Sequence, residues 1–389
     1  MKTFLKDFSV SAATAGFIAV LIGFASSIAI VFQAAVASGA NAEQMESWVW
    51  ALGIGMGLCT FGLSLYYKRP LIIVWSTPGA ALIAASLSGS DGSLEQATGT
   101  FIFVGLLIVI VGVSGLFKKL ISYIPLSIAS AMLAGILLQF GIGIFSAMNN
   151  MPVLVILMFA TYVAMKYYLP RYTILAVLVV GTLFCLQTDA LTLSQIDWSF
   201  ATPQWVTPEF SLASIIGIGI PLFIVTMASQ NLPGVSILKS SGYSQQNVSP
   251  IITTTGLSTL AFAPFGGFTF NLAAITAAIC TSEEAHIDPG RRYIAGVSAG
   301  VFNIIAGLFG AAVVSLFAAF PHSMVAALAG LALLSTIANS LKAALQADSE
   351  REAALVTFLL SASSLSFFGI GSAFWGVVVG MLVLRSSKI

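Results

Sequence analysis

Long apolar runs recur almost without pause from Ser9 to Leu384, and short polar stretches punctuate them. A helix needs about 20 mostly apolar residues to cross the hydrocarbon core of a bilayer. Taking the polar punctuation as loops predicts about fourteen spans, at 10–38, 44–66, 70–88, 97–116, 124–147, 151–165, 172–188, 211–238, 249–264, 267–281, 292–319, 322–341, 352–369 and 371–385. The expected class is an all-α membrane protein. The N-terminus has a basic start and an apolar run, as a signal peptide does, but the run extends to Ser38 with no cleavage site and reads as a retained first helix.

Charge fixes the orientation. Hydrophobic residues make up 58% of the chain and charged ones 7%, far too few to coat a soluble protein of 389 residues. With the N-terminus inside, the inner segments hold Lys2 and Lys6, Lys68 and Arg69, Lys118 and Lys119, Lys166 and Arg171, Lys239, Arg291 and Arg292, Lys342 and Arg351, and Arg385 and Lys388. That is every Lys and Arg, so both termini are expected in the cytoplasm. The acids divide, with Glu43, Glu46, Asp91, Glu95, Asp189, Asp197 and Glu209 outside. The hydrophilic stretch Gln187 to Phe210 reads as an outer connection, with Trp198 and Trp205 suited to the interface. No basic patch suits nucleic acid. Cys59, Cys185 and Cys280 lie in spans without metal or disulfide spacing and read as core residues.

The halves echo each other. Gly115-Leu116-Phe117, Pro125-Leu126-Ser127-Ile128 and Leu133-Ala134-Gly135 recur as Gly307-Leu308-Phe309, Pro321-His322-Ser323-Met324 and Leu328-Ala329-Gly330. Ala25-Ser26-Ser27 parallels Ala228-Ser229-Gln230, and Gly57-Leu58-Cys59-Thr60 parallels Gly256-Leu257-Ser258-Thr259. A unit of seven spans is odd, so its second copy enters from the opposite face. Inverted repeats of this kind are the architecture of secondary transporters, with substrate near the midplane.

Spans three and ten are expected to break into a short strand plus a half-helix. Leu71 to Trp75 favours extended structure, Ser76 or Thr77 caps a helix, and Pro78 suits its first turn. The remainder, Ala80 to Ser88, gives a helix of about ten residues, roughly 15 Å long or half a bilayer. Its counterpart runs from Gly266 through Phe268 and Phe270 to Asn271 as the expected cap, then Leu272 to Cys280. Both N-termini then meet at mid-membrane, each with free N–H groups and about half a positive charge, an anion site made without a cation. Beside it lie Ser26, Ser27, Ser229, Gln230 and Asn231 as polar candidates, Gly79 in the turn after Pro78, and Trp75, Phe268 and Phe270 to face an aromatic ring. The Glu283 to Asp288 cluster reads as a solvated loop with Asp288-Pro289 as a cap, not as a metal site. No phosphate loop and no nucleophile–base pair is present, so neither ATP-driven transport nor an enzyme is expected, and no cofactor is implied.

Several strings carry a resemblance: Leu21 to Ser27, Trp75-Ser76-Thr77-Pro78-Gly79-Ala80-Ala81-Leu82, Pro221-Leu222-Phe223, Thr226-Met227-Ala228-Ser229-Gln230-Asn231, Ala273 to Cys280 and Gly371 to Gly376. Through nearly the whole chain it resembles the benzoate/proton symporter (BenE) family. The resemblance implies a bacterial inner-membrane carrier of benzoate, with the seven-plus-seven fold of nucleobase–ascorbate and sulfate transporters. It implies a core domain over 1–119 and 191–319, a gate domain over 120–190 and 320–389, and a homodimer as is common in the fold. Nucleobase carriers of this fold use acids on spans eight and ten. Here Gln230, Asn231 and Asn271 stand near those places, which suits a carboxylate. A proton symporter usually carries an intramembrane acid or histidine. The threading places none, with His286 and His322 at the faces, so the proton travels with the substrate or coupling is weak. A nucleobase or other neutral heterocycle carrier and an anion channel remain the alternatives.

Overall fold

The computed structural model describes residues 7–87, 93–117, 119, 125–191, 197–244, 246–363 and 365–386. The expected topogenic charges Lys2, Lys6, Asp91, Lys118 and Lys388, and the span ends at Ser88 and residue 124, lie outside the described residues.

Polar caps set where the first helices begin. Ser9 accepts from the Ala12 N–H and opens α1 (Val10–Ala37). Asn41 and Gln44 form a reciprocal capping box at the start of α2 (Ala42–Tyr67). Then come β1 (Ile73–Trp75), α3 (Thr77–Leu87) and α4 (Leu94–Ser114), the last capped by Ser93 and closed by left-handed Gly115. The half ends with α5 (Leu126–Ala147), α6 (Pro152–Tyr168) and α7 (Thr173–Gln187).

The second half repeats the order. A long helix, α8 (Leu212–Ser240), precedes α9 (Ser249–Phe262), β2 (Phe270–Leu272) and α10 (Ile275–Thr281). Next, α11 (Tyr293–Leu308) and α12 (Gly310–Ala318) bend by 65° at their junction. The chain closes with α13 (His322–Ala344), α14 (Arg351–Ala362), a small hairpin of β3 (Ser366–Phe367) and β4 (Ile370–Gly371), and α15 (Ser372–Ser386). Each expected segment contains helix. Among the described residues, seven helices are long and apolar enough to cross a membrane alone, or eight if the bent pair is one span.

β1 and β2 pair antiparallel, with Ile73 opposite Leu272, Val74 opposite Asn271 and Trp75 opposite Phe270. Each strand is tied to a helix of its own half by the same residue type. Thr60 Oγ1 accepts from the Ile73 N–H at 3.0 Å, and Thr259 Oγ1 accepts from the Phe270 N–H at 3.2 Å. These are the threonines that the repeated Gly-Leu-x-Thr string aligns.

Packing divides the helices. α2 packs on α11, and α4 on α9; if the halves are exchanged, these two pairs exchange with each other. Both crossings are close because glycine lines them: a methyl at Gly53 would sit 2.5 Å from Gly307 Cα, and one at Gly112 would sit 2.5 Å from the Thr253 N. α5, α13, α14 and α15 pack on one another, and α6 on α7.

Candidate functional site

One cavity of about 760 Å³ reaches from the paired strands to the face that carries Lys166, Arg171 and Glu284. The first turns of α3 and α10 both line it, through Thr77 and Pro78 on one side and Ala274, Ile275 and Thr276 on the other. The two short helices follow the two strands of one ladder, so pairing the strands brings the helix starts together.

The two starts differ in what they offer. Ser76 is the cap of α3: its Oγ accepts from the Gly79 N–H at 3.0 Å and its carbonyl from Ala80 at 2.8 Å. Pro78 has no N–H, which leaves Thr77 as the open donor of that turn. The start of α10 is bare. Ala274 precedes it without a side-chain cap, and the N–H groups of Ile275 to Ala277 meet no acceptor among the described residues. Thr276 is more than nine-tenths buried, its hydroxyl has no partner among the described residues, and it lines the cavity. α10 therefore supplies the stronger donor end.

Asn271 is not the cap that the sequence pattern predicts. It belongs to β2, four residues before the helix, because pairing with Ile73–Trp75 holds the backbone extended there. Its side-chain amide donates to the Leu272 carbonyl, and its Oδ1 is buried without a partner among the described residues.

Trp75 forms the aromatic wall. Its indole Nε1 donates to Ser27 Oγ at 2.9 Å, and Ser27 in turn donates to the Gly23 carbonyl at 2.8 Å. Phe24 meets the indole edge-on with centroids 4.9 Å apart. Of the sequence candidates, Ser26, Ser27, Trp75, Thr77, Ser229 and Gln230 line the cavity, and Phe24, which the sequence reading passed over, joins them.

The remaining candidates lie behind it. Phe268 and Phe270 are fully buried; Phe268 packs on Trp48 and Phe101, and Phe270 on Phe262. Both rings are packed in the core and neither lines the cavity. Gly79 packs against Leu222, where a methyl would come within 2.7 Å of Cδ1. Asn231 is structural: its Oδ1 accepts from the Leu272 N–H at 3.0 Å and fastens α8 to β2.

A π-helical turn over Thr226–Asn231 separates Gln230 from its neighbour. Pro233 has no N–H for the Ser229 carbonyl four residues earlier, and the wider turn accommodates that gap. Gln230 thereby faces the cavity while Asn231 faces the strand.

Charge enters the cavity only at one end. Its charged lining residues are Lys166, Arg171, Glu283 and Glu284, with Arg171 and Glu284 ion-paired. Around the strand crossing the polar lining is hydroxyl, amide, indole and backbone, set among apolar side chains that include Phe24, Met56 and Val74. Arg292 pins the adjoining loop by donating to the carbonyls of Thr281 and His286, both at 2.7 Å. Asp288 accepts from the Gly290 N–H as the turn cap expected.

The family described as BenE, benzoate membrane transport protein, matches residues 6–385. The chain is 47% identical to the inner membrane protein YdcO of Escherichia coli, over 94% of this chain and 93% of that one. It is 41% identical to the benzoate membrane transport protein of Acinetobacter baylyi, over 98% and 96%. Among solved structures, the transmembrane domain of the cyanobacterial bicarbonate transporter BicA matches with a TM-score of 0.59 at 16% identity, covering 98% of this chain and 97% of that one. That likeness concerns the fold.

Proposed function

The chain belongs to the BenE benzoate membrane transport family, and we propose that it is a secondary carrier that imports benzoate or a similar aromatic monocarboxylate across a bacterial inner membrane by alternating access. One observation carries the reading: the starts of α3 and α10 line one cavity with Trp75 and Gln230, and no acid stands among them. A carboxylate there meets open N–H donors and the Thr276 hydroxyl, and its ring meets Trp75 and Phe24. Each helix end contributes up to about 2 kcal/mol toward an anion in favourable geometry. That suits one negative charge. The cavity volume lies within the range of about 300–1,000 Å³ usual for small-molecule sites.

The exchangeable α2–α11 and α4–α9 pairs and the matched Thr60 and Thr259 ties support a seven-plus-seven inverted repeat with fourteen crossings, spans three and ten being strand plus half-helix. Irregular backbone is tolerated at membrane depth where it lines a cavity. The packing supports a core of 1–119 and 191–319 against a gate of 120–190 and 320–389, and the placement of cations supports cytoplasmic termini. On that topology the cavity opens inward. A proton accompanies the substrate, carried by the acid itself or by a group at the face, and two copies form a homodimer.

Calorimetric titration of Thr276→Val and Thr77→Pro with benzoate tests the site. Each variant removes one donor and should weaken binding by about 10- to 150-fold, the value of one hydrogen bond of about 1.5–3 kcal/mol to a charged group. Unchanged affinity in both would exclude the helix-end site. Saturable benzoate uptake that uracil displaces would indicate a heterocycle carrier, and single-channel current would indicate a pore.

A further inference from the structure

We propose that Lys166, with Tyr162 and Ser335, forms a second carboxylate station on the opposite wall of the cavity, which captures the acid at the cytoplasmic mouth. The station rests on the reading of the chain as a carboxylate carrier. Lys166 lies in the last turn of α6, and its Nζ donates to Ser335 Oγ of α13 at 3.0 Å and to Tyr162 OH at 3.1 Å. Nζ also stands 5.3 Å from the Tyr162 ring centroid. All three residues line the cavity.

Pairing singles this lysine out. The other cation of the cavity, Arg171, is ion-paired with Glu284, and Glu283, the fourth charged residue of the lining, makes no ion pair among the described residues. Lys166 has no carboxylate within ion-pair distance among the described residues. Its two partners are neutral hydroxyls, which orient the ammonium without cancelling its charge. An ammonium has three donors; two are engaged, and the third is available to an anion. Tyr162 and Ser335 lie 3.3 Å apart and can donate only one hydrogen to each other. The remaining O–H is a second donor for a carboxylate oxygen.

The cavity has room for two ring positions. A void of about 150 Å³ holds a benzene ring, and this one measures about 760 Å³. The helix-end site lies on α3 and α10, and Lys166 lies on α6 facing α13. An acid held between helix dipoles on one wall can thus pass to a full positive charge on the other. A fixed charge at a cleft mouth draws anions in and leaves neutral heterocycles unaffected.

The test uses the purified full chain with Lys166→Met, Lys166→Gln and Lys166→Arg, each checked for an intact melting transition. Lys166→Gln keeps a hydrogen-bonding head without charge and serves if the Met variant does not fold. Benzoate and its neutral analogue benzamide are titrated at low and high salt. Loss of the charge should weaken benzoate binding at least about tenfold, the lower end expected for a hydrogen bond to a charged group. It should also flatten the salt dependence and leave benzamide unchanged. The Arg variant should stay within about threefold of the parent, since it keeps the charge. Parental affinity and salt slope in the charge-neutral variants would overturn the station while leaving the helix-end site intact. Failure of the parent chain to bind benzoate would overturn the carrier reading and the station with it.

Discussion

Ser27→Ala isolates the hydrogen bond that aims Trp75 at the cavity. Ser27 and Trp75 are only 5% and 3% exposed, and the indole N–H has Ser27 Oγ at 2.9 Å as its acceptor. Removing the hydroxyl leaves a buried donor without a partner, which costs about 1–3 kcal/mol. The empty cavity gives the ring a way out, because turning toward water satisfies the N–H. Bound substrate needs the ring turned back against Phe24, so the cost reappears on binding. Benzoate affinity should therefore fall by about 5- to 150-fold, at 1.4 kcal/mol per factor of ten. The assay is calorimetric titration of parent, Ser27→Ala, Trp75→Phe and the double variant. Trp75→Phe deletes the donor, so in the double variant the loss of the Ser27 hydroxyl should add little, and the cycle should show coupling. Parental affinity in Ser27→Ala, or strict additivity in the double variant, would refute the reasoning.

Three further outcomes follow. Gln230→Glu places a negative charge in the cavity wall; at about 4 Å and an effective dielectric near 20 the repulsion is about 4 kcal/mol, so benzoate uptake should vanish while folding survives, and uptake at the parental rate would remove Gln230 from the site. Thr60→Val and Thr259→Val each strip a strand N–H of its buried acceptor and should lower stability by similar amounts, about 1–3 kcal/mol, measured by denaturant or thermal unfolding; an effect confined to one of them would count against equivalent halves. Replacing both His286 and His322 with Gln should leave the response of proteoliposome uptake to an imposed pH gradient intact, and loss of that response alone would show that a histidine carries the proton.

What the residue pattern conveyed well was local. The β-branched run before Ser76, the hydroxyl and the following proline all favour one strand-to-helix junction, and the structure has it there. The matching junction lies three residues beyond the expected cap Asn271, at Ala274, since a capping residue and a strand residue look alike until the partner strand is known. Gln230 and Asn231 are adjacent and chemically alike, and a π turn, which no periodicity announces, sends them to different neighbours. Phe268 and Phe270 are held in the core by Trp48, Phe101 and Phe262, partners that only the folded chain brings to them. Lys166, Tyr162 and Ser335 were illegible as a group. Tyr162 and Lys166 share α6, but Ser335 comes from α13, far away in sequence, and Lys166 alone reads as one more cytoplasmic charge.

Counterflow of radiolabelled benzoate in proteoliposomes of the purified chain tests the central claim most directly. Preloading with unlabelled benzoate should drive transient, saturable accumulation of label, which salicylate inhibits and uracil does not, and which Thr276→Val weakens. Accumulation that uracil abolishes, or flux that never saturates and needs no preloaded partner, would contradict the account.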